Sequence, residues 1–326
     1  MPTTPIIVTG ASGFIGQALA RRLADAGQAV LAVDRNPCTI ANVVSVQLDV
    51  AARGALLAHV DEGTTIYHLA ASADVAASVR DPRHDLTHTF AAMFEVLEAA
   101  RARGCRVIFP STASVFDVGE PLPLAERAFP RPTSPYAAAK LSGEAYCYAY
   151  HRSYGVDVRV ARLFSVYGVG MRRFAIHDLI RKIQRNPHEL EVLGDGMQVR
   201  DYLYIDDAVE GLMTVAARGR AGEDYNVASG RPVRLLDLAR AIAVEMGLPA
   251  IRLVPTGKTF AGDTPRWFGD VSKMRALGFV PAVPLEEGLR RTIAWMCGSA
   301  VGDRPSGVGR RPSAMGGQRR AVGGAR

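Results

Sequence analysis

Short runs of aliphatic and β-branched residues alternate along the first half of the chain with longer stretches whose apolar positions recur every three to four residues. Ile6-Ile7-Val8 reads as a buried strand. The helix after it carries Ala18, Leu19, Leu23 and Ala26 on one face and stops at Gly27. Further strands are expected at 29–33, 43–48, 64–69 and 106–109, with one helix from about 82 to 103 before the last of these. Strands alternating with helices predict an α/β fold, a parallel sheet with helices on both faces. From about Arg162 the alternation loosens, which points to a smaller C-terminal lobe in which 234–246 and 285–296 read as amphipathic helices.

The first strand runs into Thr9-Gly10-Ala11-Ser12-Gly13-Phe14-Ile15-Gly16. Strand, glycine turn and helix in that order give the glycine spacing its meaning. Gly10 permits the tight turn, Gly13 lets backbone N–H groups approach a pyrophosphate, and Gly16 lets helix pack on strand. Asp34 closes the second strand eighteen residues beyond Gly16. An acid there can accept hydrogen bonds from ribose hydroxyls and repels a 2′-phosphate, which favours NAD. The adjacent Arg35 is able to meet such a phosphate and keeps NADP open. Asp49-Val50 ends the third strand, where an acid can meet an adenine amino group, and Leu69-Ala70-Ala71 are small enough to let a cofactor lie against the fourth. Gly10, Asp34, Asp49, Ala70 and Ser111 all fall at C-terminal strand ends, where ligands of such sheets collect. The expected architecture is a Rossmann-type doubly wound parallel sheet over 1–165, rejoined by parts of 198–230. A smaller substrate-binding lobe takes most of 166–298, and 299–326 form a disordered basic tail.

Ser134-Pro135-Tyr136-Ala137-Ala138-Ala139-Lys140 reads as a capped helix start. Tyr136 and Lys140 lie four residues apart and so project from one face. A phenol with a free pKa near ~10 is a poor base at neutral pH, and an ammonium one turn away favours its phenolate. Such a pair can take a proton from an alcohol while a nicotinamide takes the hydride.

Composition adds restraint. The 326 residues carry a net charge of +7, but 301–326 hold six arginines against Asp303 and account for +5 of it. The body is nearly neutral, which argues against a nucleic-acid-binding domain. The tail has almost no large apolar residues and cannot offset its ordering entropy. Cys38, Cys105, Cys147 and Cys297 are scattered without paired spacing, as expected for reduced thiols of a cytoplasmic protein with no metal site. No membrane span or signal peptide is recognisable.

The chain resembles the extended short-chain dehydrogenase/reductase family, in particular its nucleotide-sugar epimerases and dehydratases. The matching segments are TGASGFIG at 9–16, HLAA at 68–71, STASVF at 111–116, YAAAK at 136–140, RLFSVYGVG at 162–170, GDGMQVRDYLYIDDA at 194–208 and YNVASG at 225–230, continued by GDTPRWFGDVSK at 262–273 and LGFVP at 277–281. By this resemblance Tyr136 is the base, Lys140 holds the nicotinamide ribose, and Thr112 hydrogen-bonds the reacting hydroxyl. The cofactor set is Gly10, Gly13, Phe14, Ile15, Gly16, Asp34, Arg35, Asp49, Val50, Leu69, Ala70, Ala71, Thr89, Tyr136, Lys140 and Phe164. Thr112, Ser165, Arg200 and Arg266 face the substrate, the two arginines being suited to a nucleotide diphosphate. The resemblance also implies a homodimer through the Tyr136 helix and the helix before it.

The branch of the family is read after Thr112. The 4,6-dehydratase type places Asp-Glu there and the decarboxylase type a Glu in the second slot, whereas this chain has Ala113-Ser114. Eliminating water needs an acid and a base that those two cannot supply; epimerisation needs no third titrating group. A C4 epimerase is therefore expected, with a 4-keto-sugar reductase and a silent NAD-sensing protein as the alternatives. Thr89 and Ser165 replace asparagines of the pattern, Val115-Phe116-Asp117 replaces V-Y-G, and Phe260 stands where galactose-type epimerases have an arginine.

Overall fold

The computed structural model describes residues 6–117, 119–258 and 265–299. Phe260 and the 300–326 tail, on which two of the sequence expectations fall, lie outside the described residues. In chain order the first half contains β1 (Ile6–Thr9), α1 (Phe14–Asp25), β2 (Val30–Asp34), β3 (Val44–Gln47), β4 (Thr65–His68), α2 (Val75–Arg80), α3 (Pro82–Asp85), α4 (Ala91–Arg103), β5 (Arg106–Thr112), α5 (Pro135–Tyr154) and β6 (Asp157–Leu163). The second half contains β7 (Ser165–Tyr167), α6 (Ala175–Arg185), β8 (Glu189–Val192), β9 (Val199–Tyr204), α7 (Ile205–Arg218), β10 (Asp224–Val227), β11 (Pro232–Arg234), α8 (Leu235–Glu245), β12 (Arg252–Pro255), α9 (Ser272–Ala276) and α10 (Leu285–Ser299).

Seven strands form the main sheet in the order β10-β6-β5-β4-β1-β2-β3, with every pairing parallel. The strand order reverses between β1 and β4, and a ligand crevice opens at such a switch point. Side chains alternate across the sheet as a two-residue period requires. Ile7, Ile66, Val107 and Phe109 enter one core with α4 and α5, while Val8, Tyr67 and Ile108 enter the other with α1 and α7. Two small sheets, β11-β9-β7 and β12-β8, build the lobe beside it.

Three sequence expectations need correction. The helix expected over 82–103 is continuous but not uniformly α: a π-helical turn at Leu86–Phe90 separates α3 from α4. The strand expected at 106–109 runs on to Thr112, because Ser111 and Thr112 still pair with Arg162 and Leu163 of β6. Ala26 is exposed as the C-cap of α1, whose buried face is Gly16, Leu19, Ala20 and Leu23.

Helix α5 begins as its sequence indicates. The Ser134 hydroxyl accepts from Ala137 N at 3.2 Å, Pro135 occupies the first turn, and Gly155 ends the helix at φ 71°. Glu144, fully buried on α5, receives both Nε and a terminal nitrogen of Arg162 on β6, at 3.0 and 2.7 Å. That bidentate pair fixes the helix against the strand beside which the site lies.

Candidate active site

At the switch point Gly10 adopts φ 69°, and a Cβ there would lie 2.5 Å from both Ala70 N and Leu69 C. Only glycine lets β1 turn this close to the end of β4. Gly13 is the N-cap of α1 and offers no side-chain cap, so the first N–H groups of the helix, from Phe14 and Ile15 onward, stay open toward the crevice. A Cβ on Gly16 would run into Gly10 O. Thr9 Oγ1 bonds His68 Nδ1 at 2.9 Å and accepts from Ala70 N at 3.3 Å, which pins the Leu69-Ala70-Ala71 wall to the glycine loop.

Asp34 closes the crevice at the end of β2. Its two carboxylate oxygens accept from Ser12 N at 3.0 Å and Asn36 N at 2.8 Å, and each retains a lone pair. Arg35 and Asp49 are exposed beyond it, and Val50 is buried. The cradle fits a dinucleotide: a backbone hollow that a Cβ would fill, an uncapped helix start, an acid at the second strand end, and a buried Ser111 Oγ without a hydrogen-bond partner.

Across the crevice, the end of β5 meets the start of α5. Thr112 Oγ1 bonds Ser114 Oγ at 3.1 Å and accepts from Ser114 N at 3.2 Å. Burial pushes the Tyr136 phenol up to about 12, while hydrogen bonding from Thr112 and the charge of Arg173 act in the opposite sense. Lys140 is buried, donates to Pro110 O at 2.8 Å and sits 4.8 Å over the Phe109 ring. Loss of hydration lowers its pKa to about 8. Lys140 gives one of its three N–H groups to a carbonyl, and Thr112 and Arg173 also favour the phenolate.

The other expected residues are placed unevenly. Thr89 is buried, accepting from Ser72 N at 3.1 Å and donating to Asp85 Oδ1 at 3.3 Å. Phe164 packs its ring with Ala113, Val115, Phe116, Leu124, Ala228 and Val271, and its N–H bonds Val227 O, so only its carbonyl is left to face a ligand. Ser165 opens β7, opposite Tyr202. Arg200 and Arg266 come together through the backbone, since Val199 bridges Arg266 and the Arg200 guanidinium lies 4.8 Å over the Trp267 ring. Arg172 is exposed, as are Arg173 and Arg266.

Sequence reasoning missed two residues of this region. Asp85 is 1% exposed, and its Oδ2 has no hydrogen-bond partner. The four-residue spacing from Asp85 to Thr89 was the available signal, since it puts both on one helical face. Asp201 is fully buried and accepts from Ser229 N, Ser229 Oγ, Gly230 N and Gly269 N, so it clamps two loops beside Arg200. Among the described residues no cluster suits a metal ion, and no helix is long and apolar enough to cross a membrane.

A doubly wound parallel sheet with a glycine cradle at its switch point defines a dinucleotide-dependent enzyme of the extended short-chain dehydrogenase/reductase type. The chain belongs to the NAD dependent epimerase/dehydratase family, whose model matches residues 6–228, and NAD is its cofactor. A dTDP-glucose 4,6-dehydratase of Streptomyces griseus is 33% identical over 90% of this chain and 94% of its own length. The uncharacterized UDP-glucose epimerase YtcB of Bacillus subtilis is 31% identical over 89% and 97%. Among solved structures, MoeE5 in complex with UDP-glucose and NAD superposes with a TM-score of 0.83 at 32% identity, covering 91% of this chain and 99% of its own.

Proposed function

We propose that this chain is an NAD-dependent nucleotide-sugar 4-epimerase. The observation that carries the reading is what surrounds the Thr112–Tyr136 pair. Ala113 and Ser114 are buried directly after Thr112, and the Ser114 hydroxyl is tied back to Thr112. Neither can act as the acid or base that eliminating water demands. Redox chemistry at one carbon needs only a group that takes and returns the hydroxyl proton.

Bound NAD⁺ supplies the redox couple that takes sugar C4 to the ketone level and back. Tyr136 exchanges the proton with the C4 hydroxyl, and Thr112 stabilises the phenolate and orients the oxygen that reacts. Lys140, fixed by Pro110 O, holds the nicotinamide ribose. Gly10, Gly13 and the start of α1 at Phe14-Ile15-Gly16 take the pyrophosphate. Asp34 takes the adenosine ribose, with Arg35, Asp49 and Val50 around the adenine. Leu69, Ala70, Ala71, Thr89 and the Phe164 carbonyl line the remainder. Ser165, Arg200 and Arg266 hold the nucleotide diphosphate of the substrate, the guanidinium on Trp267 being braced for bidentate contact.

In this reading 1–165, rejoined by β10 at the edge of the main sheet, form the cofactor domain, and the bulk of 166–298 forms the substrate lobe. A homodimer through α4 and α5 is part of the proposal. It is supported by the aromatic ladder Phe90, Phe94, Tyr146, Tyr150 and Tyr154, in which Tyr146 and Tyr154 are exposed.

The test is to incubate the purified protein with UDP-, dTDP-, GDP- and CDP-sugars and follow C4 configuration by NMR. Epimer formation that Tyr136→Phe reduces by about 10²–10⁴-fold, with NAD still bound, is the expected result. Net oxidation of added NADH by a keto sugar without epimer would identify a reductase instead. Binding of NAD with no turnover in the whole panel would identify a sensor.

A further inference from the structure

Asp85 ends α3, immediately before the π-helical turn Leu86–Phe90. Single π turns re-aim side chains and recur at functional sites. The carboxyl is 1% exposed; Oδ1 accepts from Thr89 Oγ1 at 3.3 Å, and Oδ2 has no partner. An unsatisfied buried oxygen is costly, more so when charged, so its persistence calls for a ligand. Asp85 lines a cavity of about 260 Å³ together with Ser72, Ala77, Arg80, Asp81 and His84. Arg80, Asp81 and His84 are exposed and form its mouth, and Asp85 is its buried end. Both α2 and α3 pack on α5, the helix that carries Tyr136 and Lys140.

We propose that this cavity is a subsite for the sugar ring of the substrate, in which Asp85 Oδ2 accepts a hydrogen bond from a ring hydroxyl. The proposal rests on the nucleotide-sugar reading above and narrows it to sugars that present a neutral donor to Asp85. A carboxylate at that position would face an acid at van der Waals distance and be rejected. Burial pushes the Asp85 carboxyl up, whereas Thr89, His84, Ser72 and Lys140 all favour its charged form. The ionised group presents Oδ2 as an acceptor only.

The experiment is calorimetric titration of the NAD-loaded protein with UDP and UDP-glucose, then with the 2-, 3- and 6-deoxy analogues. Asp85→Asn is expected to weaken UDP-glucose about 10- to 100-fold and leave UDP unchanged. One deoxy analogue should bind wild type as poorly as UDP-glucose binds the variant, and should lose nothing further in Asp85→Asn. Ala77→Leu adds bulk at a second lining residue of the cavity, and should give the same selective loss should Asp85→Asn fail to fold. Unchanged UDP-glucose affinity in either folded variant, or additive losses for every deoxy analogue, overturns the subsite. Failure of wild type to turn over any nucleotide sugar would overturn the enzymatic reading alone, because these titrations do not depend on turnover.

Discussion

Lys140 Nζ donates to Pro110 O across 2.8 Å, so the second turn of α5 is bolted to the end of β5 by a buried ammonium. Burial brings the Lys140 pKa to about 8, below its ordinary value of 10.5. Between those two values the unfolded chain holds the proton that the folded chain has released. Stability from this group therefore rises with pH through the 8–10.5 window and is depressed below it. Lys140→Met should remove that dependence. Urea midpoints at pH 7 and pH 10 should move closer together in the variant than in wild type, while turnover falls by about 10²-fold or more. A variant that keeps the wild-type pH difference would show that another group titrates.

How far the site could be read beforehand depends on what kind of group fills it. The sheet was legible because its strands are short apolar runs separated by helical periodicity, and the glycine cradle because Gly10, Asp34 and Asp49 stand at strand ends. The Lys140 partner was not legible, since a carbonyl such as that of Pro110 carries no sequence identity. Nor was Asp85: Asp81-Pro82-Arg83-His84-Asp85 reads as a solvated helix start, and Arg83 and His84 are indeed exposed. Only the four-residue spacing to Thr89 links Asp85 to an expected site residue, and the π turn between them is not visible in the apolar pattern. At Phe164 the motif position fixes the backbone, while the ring goes to a local apolar cluster that sequence does not announce.

His68 gives the chain an acid limb. It is fully buried, bonded through Nδ1 to Thr9 Oγ1, and stacked on Phe109 with ring centroids 6.3 Å apart. Burial, with the Lys140 charge nearby, lowers its pKa to about 3. Its folded value lies below the unfolded 6.5, so stability is lost as pH falls from 6.5 toward 3. Going from pH 7 to pH 5 should cost about 2 kcal/mol from this residue. His68→Asn, which takes up no proton, should show a correspondingly shallower fall in its urea midpoint. Parallel curves for the two proteins would place the acid sensitivity elsewhere.

Gly10→Ala tests the cradle. The added methyl would have to occupy a point 2.5 Å from backbone atoms of Leu69 and Ala70, at a φ that alanine rarely adopts. Neither neighbour can rotate away, because both are main chain. The glycine loop must then lift off the end of β4, breaking the Ala70 N to Thr9 Oγ1 bond. Loss of co-purifying NAD and a stability decrease of about 1–3 kcal/mol are expected. Mass spectrometry of the native protein and a urea titration read the two effects separately. Gly27→Ala serves as the comparison: its φ of 76° is similarly positive, but nothing lies within 4 Å of the added methyl, so NAD should be retained.

Asp201 extends the argument to the substrate side. One carboxylate takes three backbone N–H groups and one hydroxyl, at 2.6–3.2 Å, from Ser229, Gly230 and Gly269. It thereby joins β9 to the loop after β10 and to the segment that carries Trp267, on which Arg200 lies. Asparagine has the same shape but turns one acceptor into a donor facing backbone N–H groups. Asp201→Asn should therefore cost about 3 kcal/mol or more, read as a lower urea midpoint at unchanged m-value. If Arg200 binds diphosphate only when Trp267 is held in place, UDP affinity should fall in the folded variant as well. A destabilised variant with wild-type UDP affinity would separate the clamp from the binding site.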